Sequence, residues 1–213
     1  VSGRGTKERN SVVSPFQSRL KRAVDLMLAV VATMVLAVPM LLIAAVVRVT
    51  SPGPALYWSR RVGRNNQIFL MPKFRSMRTD TPQLATHLLT DSDKWITPIG
   101  RLLRVTSLDE APQLYNVFRG DMSFIGPRPD LFNQDDLIAL RTACGVSQLL
   151  PGVSGWAQIN GRDELSIAEK VRFDEYYLHH QSLAMDMKIL VLTVFKVLRR
   201  EGIVQAGQER TRR

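Results

Sequence analysis

From residue 26 to residue 47 the chain carries no charged side chain. An α-helix rises 1.5 Å per residue, so this length matches the roughly 30 Å hydrocarbon core of a bilayer. The stretch reads as a membrane segment, and the rest of the chain has to be arranged beside it. A secretory signal fits less well, because the apolar run is too long and lacks a small-residue cleavage site. Pro39 removes a backbone hydrogen bond near its middle and clashes with the preceding turn, at about 3 kcal/mol in a straight helix, which predicts a kink or a break. Arg19, Lys21 and Arg22 flank the segment on one side, and Arg48, Arg60, Arg61 and Arg64 on the other. Cationic flanks prefer the cytoplasm, so a helix that re-enters on the same face accommodates both sets. A kinked transmembrane span is the alternative, with the long following domain overriding the charge rule.

Composition narrows the chemistry. The 213 residues carry a formal net charge of +10, which points to anionic partners such as phospholipid, phosphate esters or nucleic acid. Cys144 is the only cysteine, so there is neither a disulfide framework nor a thiolate metal cluster, which fits a reducing compartment. His87, His179 and His180 show no metal-ligand spacing, and the tandem pair reads as a solvated helix end. Four regions follow: a disordered polar tail over 1–18, the membrane helix over 19–49, one cytoplasmic domain over 50–202 and a basic tail over 203–213.

The densest chemistry lies in Ser107-Leu108-Asp109-Glu110-Ala111-Pro112-Gln113. Pro112 is tolerable only in a first helical turn, so the helix through Gln113, Leu114, Val117 and Phe118 begins near Asp109 and both carboxylates sit at its positive end. Ser107 and Glu110 also match the Ser-x-x-Glu capping box, a structural role that these residues alone favour. Gly126-Pro127-Arg128-Pro129 then holds an arginine in stiffened backbone, and its forked donors suit phosphate oxygens. Residues 55–78 interleave Tyr57, Trp58, Phe69 and Phe74 with Arg60, Arg61, Arg64, Lys73, Arg75 and Arg78. Aromatics beside cations suit a headgroup interface, and they would suit single-stranded nucleic acid. No RNP-type strand or zinc-finger spacing accompanies them, so nucleic acid is disfavoured.

Short helices are expected over 82–89, 99–105 and, on the surface, 135–142, with a short strand over 122–125. Longer helices are expected over 165–178 and 187–198, the latter too short to span a bilayer. Residues 151–162, which include Trp156, Gln158, Asn160 and Arg162, read first as a β-turn linker, although their glycines would let backbone approach a ligand.

Taken in order, Lys21-Arg22-x-x-Asp25, Ser51-Pro52-Gly53-Pro54, Lys73-Phe74-Arg75-Ser76-Met77, Ser107-Leu108-Asp109-Glu110, Gly120-Asp121-Met122-Ser123, Gly126-Pro127-Arg128-Pro129 and Pro151-Gly152 through Gly161-Arg162 form a series. It strongly resembles the bacterial sugar transferase family, the monotopic polyprenyl-phosphate phosphoglycosyl transferases, over about 19–202. The resemblance implies an α+β, mostly helical fold: an N-terminal re-entrant membrane helix broken at Pro39, a small β-hairpin and interfacial amphipathic helices around one compact catalytic domain. Val38 stands where such proteins often carry serine before the proline, so hydroxyl support for the break is missing.

The implied reaction moves a sugar 1-phosphate from a nucleotide diphosphate sugar, a UDP-sugar, to undecaprenyl phosphate at the cytoplasmic face of the bacterial inner membrane. By the same resemblance Asp109 matches the nucleophile and Glu110 its dyad partner, the two together holding Mg²⁺. Arg128, Arg104 and Lys73 are the implied phosphate-binding residues. Asp174, Asp186, Gln158, Asn160 and Arg162 are candidates for the nucleotide-sugar site. The expected partners are UDP-sugar, undecaprenyl phosphate and inner-membrane phospholipid, without nucleic acid, and a homo-oligomer stays open. The chemistry is coherent, because two anions must approach each other and Mg²⁺ plus arginines would screen their repulsion. The competing reading is a membrane-anchored scaffold without catalysis, its carboxylates acting as caps and its basic face binding anionic lipid.

Overall fold

The computed structural model describes residues 15–81, 92–161 and 165–199, so the helix expected over 82–89 and the candidate Arg162 lie outside the described residues. Helix α1 (Pro15–Thr50) takes in the whole apolar stretch. Pro39 lies inside it and the chain stays helical on both sides, so no break interrupts the element there. One stripe of α1, with Met27, Val31, Met34, Val38, Leu41 and Val49, faces outward, and Met34 and Leu41 are each 73% exposed. Large apolar side chains left bare to this extent require an apolar surrounding, at roughly 25 cal/mol per Å². The helix is long and apolar enough to cross a membrane.

The opposite stripe of α1 is fastened at both ends. Near the start, Ala29 packs with Met71, Val117 and Met122. There Asp25 Oδ1 accepts the Phe124 N–H at 3.0 Å, and Arg22 donates to the carbonyls of Val117 and Phe118 at 2.6 and 3.0 Å. Near the other end, Val47 packs with Phe74 and Leu103, and Met40, Ile43 and Ala44 border the same cluster.

Strands β1 (Leu56–Val62) and β2 (Ile68–Phe74) form an antiparallel hairpin. Its turn uses Asn65 and Asn66 at φ 54° and 61°, the left-handed region that asparagine tolerates better than most residues. Pairing sets Tyr57 opposite Lys73 and Arg61 opposite Phe69, and the two-residue period puts these side chains on one face. Helices α2 (Ser92–Trp95) and α3 (Pro98–Thr106) follow. Thr97 opens α3 by accepting the Gly100 N–H at 3.0 Å, with Pro98 in the first turn where its missing N–H costs nothing. A Cβ on Gly100 would stand 2.0 Å from the Ser76 carbonyl oxygen, so glycine lets α3 rest directly on the chain that leaves β2.

A 3₁₀ turn (Leu108–Gln113) then runs into α4 (Leu114–Arg119). Strand β3 (Ser123–Ile125) pairs in parallel with β4 (Gly152–Ser154), and α5 (Asp135–Ala143) lies in the connection. The linker expected over 151–162 is instead β4 and the short α6 (Trp156–Ile159). Its glycines serve backbone packing: a Cβ on Gly152 would lie 2.1 Å from the Gly126 nitrogen. Helices α7 (Ile167–His180) and α8 (Leu183–Arg199) complete the described chain. A capping box does occur, at α7, where Ser166 and Glu169 satisfy each other's backbone N–H groups. The fold is α+β and mostly helical, with a small antiparallel sheet.

Candidate active site

Five elements converge on one cluster. β2 contributes Lys73, β1 Arg61, α3 Arg104, the 3₁₀ turn Asp109 and Glu110, and the loop after β3 Arg128. Glu110 is fully engaged: Lys73 Nζ and Arg128 Nη2 both donate to Oε1 at 2.7 Å, and Arg128 Nη1 approaches Oε2 at 3.4 Å. Burial pushes the Glu110 carboxyl up, but Arg128 and Lys73 outweigh it and hold the group well below the usual glutamate range. The capping box expected between Ser107 and Glu110 does not form. Ser107 sits at φ 56° closing the end of α3, its side chain caps nothing, and charge-assisted bonds to two cations draw Glu110 away from a neutral N–H.

Asp109, the residue before it, is in the opposite state. Its carboxylate makes no hydrogen bond or ion pair among the described residues, and it is half-buried. Burial raises its pKa above the usual aspartate value, against the pull of Lys73 and Arg104. Arg104 is held in place by Ser76 Oγ at 3.0 Å. Two adjacent carboxylates are thus driven apart, one locked and ionised, the other more basic and unengaged, as suits a nucleophile beside its support.

Arg61, a flank residue in the sequence, turns inward here. Burial and the nearby Arg128 lower its pKa to about 10, so it stays charged at neutral pH. Lys73, Arg61, Arg104 and Arg128 therefore face Asp109 and Glu110, and the surplus of positive charge suits an anionic ligand.

The sequence reading did not single out Arg141 or Asp130. Helix α5 was expected to be a surface helix, yet Arg141 faces inward, four residues after the buried Leu137 on the same stripe. That spacing was the available signal. Arg141 bonds Asp174, Asp130 and the Arg128 carbonyl. Asp174, a nucleotide-sugar candidate, is 1% exposed and has its Oδ2 occupied by Arg141. Asp186, another candidate, accepts from Lys21 at 2.6 Å and from the Tyr177 hydroxyl at 2.6 Å, which joins α8 to α1. Both are engaged by groups of the protein itself. Asn160 is exposed and donates to the Trp156 carbonyl at 2.7 Å. Both amide atoms of Gln158 are enclosed without a partner among the described residues. Neither residue bonds to the Asp109–Glu110 cluster in the described structure.

Among the described residues no third histidine, cysteine, aspartate or glutamate joins a metal-binding group. Two carboxylates still fit Mg²⁺, which commonly takes one or two and fills its octahedron with water and substrate phosphate. Asp109 has its oxygens available, and Oε2 is the less engaged oxygen of Glu110.

An unengaged carboxylate among cations, beside a helix long and apolar enough to cross a membrane, suits an enzyme that handles anions at a membrane. Residues 16–200 match the family described as bacterial sugar transferase. The chain is 41% identical over 188 residues to the uncharacterized sugar transferase EpsL of Bacillus subtilis (strain 168), across 88% of this chain and 92% of that protein. It is 35% identical over 205 residues to the exopolysaccharide production protein ExoY of Rhizobium meliloti (strain 1021), across 88% and 89%. It is 38% identical over 184 residues to the UDP-glucose:undecaprenyl-phosphate glucose-1-phosphate transferase of Escherichia coli (strain K12), across 83% of this chain but 40% of that protein. Against that last relative the chain spans less than half the length. The protein belongs to the bacterial sugar transferase family.

Proposed function

We propose that the protein transfers a sugar 1-phosphate from a UDP-sugar to undecaprenyl phosphate, releasing UMP, through a covalent intermediate on Asp109. The observation that carries this reading is the split between the neighbouring carboxylates, Glu110 ion-paired to Lys73 and Arg128 while Asp109 makes no hydrogen bond or ion pair among the described residues. Relatives named for undecaprenyl-phosphate glucose, galactose and N-acetylgalactosamine phosphotransfer support the same reaction class.

In the first step a carboxylate oxygen of Asp109 attacks the sugar-bearing phosphorus. The bond to the UMP oxygen breaks, and UMP leaves with that electron pair. In the second step a phosphate oxygen of undecaprenyl phosphate attacks the same phosphorus and the bond to Asp109 breaks, restoring the carboxylate. Arg128, Lys73 and Arg61 offset the charge of the phosphates, and Arg104 accompanies Asp109. Mg²⁺, held by Asp109 and Glu110 when bound, would supply further neutralisation of the diphosphate. Splitting the transfer lets the site handle two anionic substrates in turn.

The membrane arrangement serves this chemistry. Both ends of α1 rest on the same domain while its middle is bare. A straight span would carry one end across roughly 30 Å of hydrocarbon, away from that domain. We infer that α1 dips into the inner membrane and returns to its cytoplasmic face, bending at Pro39 while staying helical, with its bare stripe in phospholipid. Cysteines placed at the exposed Arg19 and Arg64, in a Cys144→Ser background, should both resist an impermeant thiol reagent applied from the periplasm. Labelling of either one overturns re-entry.

The chemical test uses labelled UDP-sugar and Mg²⁺ without acceptor. Sugar phosphate should stay on the peptide containing Asp109, with UMP released in equal amount. Release of UDP, or kinetics that require both substrates before UMP appears with no adduct trapped, would refute the intermediate.

A further inference from the structure

The loop that carries Arg128 has no regular structure, yet four consecutive carbonyls each accept a hydrogen bond from a different residue. Gly152 N–H donates to Pro127 O at 2.8 Å, Arg141 Nη1 to Arg128 O at 2.7 Å, Arg61 Nη1 to Pro129 O at 3.1 Å and Val62 N–H to Asp130 O at 3.0 Å. Two of these donors are backbone groups that any residue would supply, and Arg61 also faces the site. Arg141 holds the Arg128 peptide itself. Its Nη1 also meets Asp130 Oδ1 at 2.5 Å, and its Nε and Nη2 meet Asp174 Oδ2 at 3.1 and 2.5 Å.

Arg141 is 7% exposed, so its charge is costly to bury. Burial works against the charged form, but Asp174 and Asp130 outweigh it and raise the pKa, so the guanidinium stays cationic. The two carboxylates already more than offset its charge. The added bond to the Arg128 carbonyl is a geometric tie, and it needs a planar fork that reaches separate acceptors, which an ammonium does not offer.

We propose that Arg141 is a positioning residue for Arg128: anchored by Asp174 and Asp130, it fixes the Arg128 peptide so that the guanidinium stays aimed at the Glu110 side of the site and the substrate phosphate. This rests on the reading of Arg128 as a phosphate-binding residue. Arg141 itself touches neither Asp109 nor Glu110 through any hydrogen bond in the described structure, so its effect runs through Arg128.

The test is a double-mutant cycle on the full chain in lipid nanodiscs, following UMP release from UDP-sugar with undecaprenyl phosphate and Mg²⁺. Arg141→Lys alone should lower kcat/KM about a hundredfold, the scale of a misplaced positioning group. In an Arg128→Lys background it should lower it by less than about threefold, because nothing remains to be positioned. Equal factors in both backgrounds would mean a merely structural arginine and overturn the proposal, as would near-normal turnover of the single variant. Should Arg141→Lys fail to fold, Asp174→Asn loosens the anchor while leaving Arg141 in place, and the same two outcomes apply. Hydrogen exchange over 126–131 is the second readout, expected to rise about tenfold in Arg141→Lys relative to wild type. A wild type without turnover would count against the proposed reaction, and the exchange rate alone would then decide this inference, an unchanged rate overturning it.

Discussion

Lys21–Asp186 and Lys73–Glu110 are both partly buried lysine–carboxylate pairs, at 2.6 and 2.7 Å, but their surroundings differ. At the foot of α1 the donors and acceptors close on one another. Lys21 also donates to the Ile125 carbonyl at 3.1 Å, Tyr177 donates to Asp186, and Asp25 takes the Phe124 N–H. Burial, and then Asp186, drive the Tyr177 hydroxyl further from ionisation, so the network holds no group ready to react. Around Lys73 the count does not close: Arg128 shares Glu110, Arg61 and Arg104 add charge, and Asp109 is left over. A buried ion pair alone therefore says little about function. Saturation marks the clamp, and surplus marks the site.

The comparison predicts different losses in the two places. Asp109→Asn should cut turnover by a factor on the order of 10⁴ while leaving circular dichroism and the melting curve unchanged, as for a group that makes the covalent bond. Retention of even a tenth of the activity would mean that the leftover carboxylate is not the nucleophile. Asp186→Ala should do the reverse. It strands Lys21 beside α1 and should cost about 3–5 kcal/mol in chemical denaturation, with turnover per folded molecule little changed. A kinetic loss without a stability loss would move Asp186 back to the ligand.

Smaller effects sharpen the same contrast. Arg128→Lys keeps the charge and loses the fork, so kcat/KM should fall about a hundredfold with the fold intact, roughly 2.7 kcal/mol. The pH dependence separates the two carboxylates further. Asp109 is raised by burial, so it protonates first as pH falls and sets the acid limb of the rate above the usual aspartate value. Glu110 is depressed, so its ion pairs stabilise the fold above the ordinary glutamate range and are lost only as pH falls through its lowered pKa. Arg104 pulls the Asp109 pKa down, and Arg104→Gln should therefore shift the acid limb upward in a pH–rate profile. A downward shift would contradict the placement of that charge.

Much of this was legible in contiguous residues. The length of the apolar run, the proline in the turn before α4 and the 3.6-residue spacing of α7 each report a local preference that later packing did not reverse. The capping box failed for a physical reason. Ser-x-x-Glu is a local pattern, but at Glu110 it competed with two cations brought from β2 and from the loop after β3, while Glu169 keeps its bonds to Ser166. The surface reading of α5 failed for a similar reason, since the acceptors for Arg141 come from the loop at Asp130 and from α7.

By itself, then, the sequence determined that a helix must find hydrocarbon, that two carboxylates begin a helical turn and that an arginine stands in a stiff loop, because these depend on residues that are neighbours in the chain. The tertiary structure decided that Glu110 is spent on Lys73 and Arg128 while Asp109 is not, and that Asp186 fastens the membrane helix. Those roles depend on which charges meet across long separations and how far each is removed from water. Burial and counter-charge set the energy of a carboxylate, and neither exists until the chain has folded.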